Sequence, residues 1–116
     1  LQNKLRLKRK KDFRKVYNYG KSVANRELVI FIMDNKNVET YRFGISVSKK
    51  IGKAVTRNRV KRLIKEAINS FLKEYELNNH IDIIIIARTP TSKMELYQFE
   101  KSIKDLFYKA KLLRKK

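Results

Sequence analysis

The 116-residue chain has no cysteine and no tryptophan, a single histidine, a single proline and three glycines. Without cysteine, disulfides and thiolate metal sites are excluded, and a reducing compartment is permitted. His80 is the only histidine and reads as a solvated loop residue, so the common zinc sites are out of reach as well. Gly20, Gly44 and Gly52 stand apart, leaving no glycine-rich phosphate loop. Carboxylates are scarce. Asp34, Glu39, Glu74, Glu76 and Asp82 fall on turns and element ends, not in the cluster that two-metal chemistry requires. No apolar run nears the ~20 residues needed to cross a bilayer; Ile83 to Ala87, for one, is only strand length. The opening LQNKLRLKRKK has no apolar core of the signal-peptide kind, so a cytoplasmic protein is expected.

What the chain does have is positive charge. Lys plus Arg number 30 and Asp plus Glu 11, a net charge of +19. A charge of that size repels itself in the folded state and makes sense opposite a polyanion. It is spread from Lys4 to Lys116, which favours nucleic acid over a single membrane-surface anchor. The 42% hydrophobic content still supplies a core, and the length fits one domain over residues 1–116. Residues 1–9 read as a flexible basic arm, from which Leu5 and Leu7 have the means to pack back on the domain. Residues 113–116 read as a flexible basic tail. There is no internal repeat.

Apolar spacing gives the elements. Phe13, Val16 and Tyr17 mark a short helix over about 10–19. Residues 22–25 suit a short extended piece, and Leu28 to Met33 reads as a strand apolar on both faces. Asp34 to Glu39 reads as the turn of a hairpin. Tyr41 to Val47 alternates cleanly: Tyr41, Phe43, Ile45 and Val47 face a core, while Arg42, Gly44 and Ser46 make a small, polar face with room for something to lie on it. A long helix spans about 52–75. After a loop over 77–81, Ile83 to Ala87 is a buried strand, and Glu95 to Leu112 a last helix. The order is αβββαβα, an α+β fold with a central mixed sheet packed by helices. The long helix is a crossover between parallel strands.

The long helix organises the rest. Val60, Leu63, Ile64, Ala67, Ile68, Phe71, Leu72 and Tyr75 form one apolar stripe. Its beginning is cationic, and Lys49 to Lys65 contains no carboxylate. Cations are unfavourable at a helix N-terminus, which already carries about half a positive charge. The arrangement calls for an external anion.

The run FGISVSKKIGKAVTRNRVKRLIKEA, Phe43 to Ala67, closely resembles the RNR signature of the bacterial ribonuclease P protein subunit. DFRKVYNYGKSVANR upstream and DIIIIARTP downstream extend the resemblance to about residues 5–114. It implies a left-handed βαβ crossover, as in a ribosomal-protein domain of the same fold, although such crossovers are right-handed in about 98% of cases. It implies an RNA-binding subunit of an endoribonuclease that assists removal of the 5′ leader of precursor tRNA. The chemistry would be carried by the RNA and its Mg2+, with no metal, cofactor or catalytic residue in the protein. The implied partners are ribonuclease P RNA, one protein per RNA, and the precursor tRNA leader. A general basic RNA-binding or chaperone-like protein is the alternative. A nuclease acting alone is disfavoured by the lack of acid–base groups.

Two surfaces follow from the resemblance. Lys49, Lys50, Lys53, Arg57, Asn58, Arg59, Lys61, Arg62 and Lys65 would contact the catalytic RNA. Asn58 has a capping role open to it as well, and Arg57 falls in line with Val60 and Ile64, toward the sheet edge. Phe13, Arg14, Tyr17, Phe31, Arg42, Ser46 and Ser48 would line a groove for the single-stranded leader, the aromatic rings stacking on bases. From spacing alone, Phe13, Tyr17 and Phe31 read first as ordinary core, since Phe13 and Tyr17 lie on the only apolar face of their helix; the resemblance reverses that reading.

Overall fold

The computed structural model describes residues 5–116. In order, the elements are α1 (Lys10–Tyr19), β1 (Lys21–Ala24), β2 (Leu28–Asp34), β3 (Tyr41–Ser46), a 3-10 turn (Lys49–Ile51), α2 (Ala54–Glu74), β4 (Tyr75–Glu76), β5 (Ile81–Ala87), a second 3-10 segment (Thr89–Lys93), α3 (Leu96–Lys109) and β6 (Arg114–Lys115). Four strands form a mixed sheet in the order β1-β2-β5-β3. β5 runs antiparallel to β2 and parallel to β3, so α2 is indeed a crossover between parallel neighbours.

The expected hairpin between β2 and β3 does not form. β5 lies between them, and residues 35–40 instead span the end of that central strand. The reason lies in β5, where Ile83, Ile84 and Ile85 are completely buried, so both faces and both edges need cover. A β2–β3 hairpin would place this most apolar strand at a sheet edge, where unpaired backbone invites aggregation. His80 secures the span. Its N–H donates to Thr40 O at 2.7 Å, its carbonyl accepts from Asn35 N–H at 2.7 Å, and its Nδ1 lies 2.6 Å from Val38 O. It is an exposed residue, but one held in place, not a free loop residue.

The sheet separates two apolar layers. On one side Val60, Leu63, Ile64, Ala67, Ile68 and Phe71 of α2 meet Phe99, Ile103, Leu106 and Phe107 of α3 over Leu28, Ile30, Phe43, Ile83 and Ile85. Burying each such aliphatic or aromatic side chain is worth roughly 1.5–3 kcal/mol. On the other side α1 covers a smaller cluster of Leu7, Val16 and Ile84, with Phe13, Phe31, Met33 and Ile86 around it. β2 is therefore fully covered on only one face.

Two terminal segments are more ordered than their composition suggests. Leu7 is buried and its N–H donates to Phe43 O at 2.7 Å, so the arm runs along β3 from Arg6 onward. Residues 1–4 of the arm lie outside the described residues. At the other end, Arg114 and Lys115 pair with Glu76 and Tyr75 as a two-stranded ribbon, and the tail is thereby tied to the end of α2.

Candidate nucleic-acid interface

The 3-10 turn and the first turns of α2 form the first surface. Gly52 joins them at φ 155, a region L side chains rarely adopt. Lys53 occupies the N-cap position without a side-chain cap bond, and the first turn holds no acid. Neither of the usual corrections for orphan N–H groups and helix-end charge is used. Lys49, Lys50, Lys53, Asn58 and Arg62 are exposed, and Lys61 and Lys65 half-buried. Burial first, then the charges of Arg6 and Lys61, push the Lys65 amine below its usual value. Arg6 thus brings a cation from the N-terminal arm to this helix, an addition that sequence spacing gave no means of seeing.

The two central arginines differ from their neighbours. Arg57 is half-buried, as its alignment with Val60 and Ile64 suggested, and its Nε is buried with no hydrogen-bond partner among the described residues. Arg59 turns sideways. One of its terminal nitrogens donates to Met94 O at 2.9 Å and lies 3.4 Å from Glu95 Oε2. Arg62 has only a loose pairing with Glu66 at 3.9 Å.

The second surface surrounds α1. Phe13 sits on Gly44: a Cβ at that glycine would lie 2.6 Å from Phe13 Cζ and 3.2 Å from Leu7 Cβ. The space foreseen beside the small face of β3 is thus occupied by the chain's own helix. Tyr17 meets Phe31 edge to face at 5.2 Å and Phe13 at 6.3 Å. Phe13 and Phe31 are half-buried, whereas Tyr17 is 38% exposed and presents the most open ring of the three. Phe13 and Tyr17 line a depression with Lys8, Lys10, Arg14 and Asn18.

The structure divides the expected leader-binding set. Arg42 lines a different depression, with Arg6, Arg9, Lys11 and Lys15, on the opposite flank of α1 by helical periodicity. Ser46 ends β3 and Ser48 precedes the 3-10 turn, toward the first surface. Arg42 is also committed within the protein. Its Nε and a terminal nitrogen donate to the two oxygens of Asp82 at 2.8 and 2.9 Å, across the β3–β5 register. Asn35 Nδ2 donates to the same carboxylate at 2.9 Å, and Asp12 stands 3.7 Å from Arg42. The Asp82 hydrogen bond dominates in holding the guanidinium above its ordinary pKa. Asp82, scattered among the acids by sequence, is the buried anchor of this network.

Among the described residues, no three His, Cys, Asp or Glu side chains gather as a metal-binding group, and no helix is long and apolar enough to cross a membrane. The α+β sheet, the acid-free cationic helix start and the aromatic groove define a small RNA-binding protein. A family profile described as Ribonuclease P matches residues 1–111. The ribonuclease P protein component of Bacillus velezensis is 45% identical over 115 residues, covering 99% of this chain and 97% of that one. The protein component from Clostridioides difficile is 52% identical over 100 residues, 86% of each chain. Among solved structures, the RNase P protein of Staphylococcus aureus superposes with a TM-score of 0.84 at 39% identity, covering 95% of this chain and 98% of that one. The Thermotoga maritima RNase P protein gives 0.78 at 27% identity, covering 90% and 96%. The chain belongs to the ribonuclease P protein family, whose members are components of an endoribonuclease ribonucleoprotein.

Proposed function

We propose that this chain binds ribonuclease P RNA through the start of α2 and holds the 5′ leader of precursor tRNA against α1, assisting a cleavage whose chemistry belongs to the RNA and its Mg2+. One protein serves one RNA, in the cytoplasm. The observation that carries this reading is the uncapped, acid-free, cationic beginning of α2. Phosphate oxygens supply the negative charge that position lacks, and arginine's fork suits them. The aromatic depression beside α1 suits unpaired bases, because stacking on Tyr17 needs no particular sequence. The protein's role is binding and positioning: it raises the local concentration of the leader at the RNA and neutralises phosphates around it.

The test is cleavage of a leader-bearing precursor tRNA at low Mg2+ by protein alone, by bacterial ribonuclease P RNA alone, and by both. Cleavage only with both supports an assisting subunit. Cleavage by protein alone overturns the assignment of chemistry to RNA. With about six phosphates neutralised, RNA affinity should drop roughly a thousandfold between 50 and 200 mM salt.

A further inference from the structure

α3 carries a site that neither surface uses. Between the β1–β2 turn and the start of α3 lies a cleft of about 560 Å³, within the range of small-ligand pockets. Tyr97 lines it with its ring 68% exposed and so open to a ligand. Pro90 and Met94 add apolar surface, and Arg26, Lys93 and Lys101 add three cations. The inner wall is polar and ordered. The two N–H groups of Asn25 Nδ2 are shared among Ser102 O at 3.2 Å, Ser102 Oγ at 2.9 Å and Asp105 Oδ2 at 3.1 Å, and its Oδ1 accepts from the N–H groups of Glu27 and Leu28.

Two acids, Glu27 and Asp105, line this cleft, and Asp105 is already engaged within the chain. Asn25, and then Lys109 at 3.2 Å, hold the Asp105 carboxyl below its usual pKa, so it is ionised and already paired. Among the described residues both partners use Oδ2, which leaves Oδ1 to accept a further N–H. A ring, a carboxylate acceptor and surrounding cations match the three parts of a nucleotide: base face, exocyclic amine and flanking phosphates.

One hydrogen bond links the wall of the cleft to the first surface. Arg59 reaches from α2 to Met94 O, and Met94 lines the cleft. We propose that the RNA-binding surface continues past Arg59 over the start of α3, where Tyr97 stacks on one unpaired nucleotide of the RNA bound at α2. This rests on the assignment of α2 to ribonuclease P RNA.

The absence of tryptophan supplies the test. Tyr97→Trp places a sole tryptophan in the cleft, and Tyr108→Trp places one on the same helix, equally exposed at 69% but outside it. Each variant is titrated with bacterial ribonuclease P RNA, while binding is followed independently by gel shift. Saturable quenching at position 97 and not at 108 is expected. In parallel, Tyr97→Ala should lower RNA affinity by about 5- to 150-fold, the value of one lost stack. A gel-shifted complex with position 97 silent, or with both positions quenched alike, overturns the nucleotide site and leaves the α2 assignment standing. Failure of both variants and the parent chain to shift the RNA overturns both.

Discussion

Arg42→Ala separates two roles for one residue. The resemblance assigns Arg42 to the leader, but the structure gives its guanidinium to Asp82, which is 0% exposed. Removing Arg42 leaves a buried carboxylate with Asn35 as its one remaining side-chain donor among the described residues. Stripping one partner from a buried ion pair costs about 3–5 kcal/mol, most of it the penalty of the stranded charge. A domain of this size loses roughly 4 °C of Tm per kcal/mol, so a fall of about 12–20 °C is expected in a thermal melt by circular dichroism. Asp82→Asn in the Arg42→Ala background removes the stranded charge and should recover a large part of that fall. The assay pairs these melts with binding of leader-bearing and mature tRNA by the assembled ribonucleoprotein at a temperature where the variant is folded. A Tm within about 4 °C of the parent, less than 1 kcal/mol, together with a selective loss of leader binding, would refute the structural role.

Other perturbations follow from the same geometry. Arg57→Met keeps the stem and removes the buried, unpartnered Nε; leaving such a donor unsatisfied costs about 1–3 kcal/mol, so the free protein should melt higher while its affinity for ribonuclease P RNA falls. A variant that loses both stability and affinity would contradict this. Gly44→Ala drives a methyl into Phe13 and should cost about 1–3 kcal/mol, with Phe13→Leu in the same chain restoring part of the Tm. The Lys65 amine is held low in the free protein, so the folded chain binds that proton less readily than the unfolded one, and stability on this account rises as pH climbs through the folded value. Phosphate oxygens beside it should move the value back up, which an NMR titration of the lysine side chain with and without RNA would measure; no upward movement would place the RNA elsewhere.

Most of the layering was legible because it rests on periodicity. The alternation of Tyr41 to Val47 and the stripe of α2 each have a single burial solution. Strand order was not legible. Pairing depends on which strand most needs cover, and a polar stretch such as Asp34 to Glu39 looks the same whether it closes a hairpin or spans another strand's end. The β4–β6 ribbon is two residues long and carries no pattern at all. The site shows the same division. Cations on α2 were readable from their sign and position, but Arg42 and Arg59 look identical to them in sequence. Only the fold brings Asp82 under one and Met94 O beside the other. The capping box of α3, where Gln98 Oε1 accepts from Glu95 N–H at 2.8 Å, did have a signal in the Glu-x-x-Gln spacing.

The distribution of acids is what ties fold to function. Eleven carboxylates face thirty cations, so each carboxylate's placement matters. Asp82 and Asp12 fix Arg42 to the sheet, Asp105 braces the β1–β2 turn through Asn25, and Glu76 stands beside Arg114 in the terminal ribbon. Along α2 the first carboxylate is Glu66, about three and a half turns beyond the N-cap. The helix end that electrostatics would most readily stabilise with an acid has none. In the same few turns lie the unpartnered Arg57 Nε and the depressed Lys65 amine. A phosphate backbone would relieve all of these at once. Whatever it relieves is added to the folding free energy, since a ligand that binds only the folded state stabilises it by mass action, about 2.7 kcal/mol at a hundred times Kd. The free chain's stability is thus held below what its core allows, and an RNA bound at the start of α2 would supply the difference.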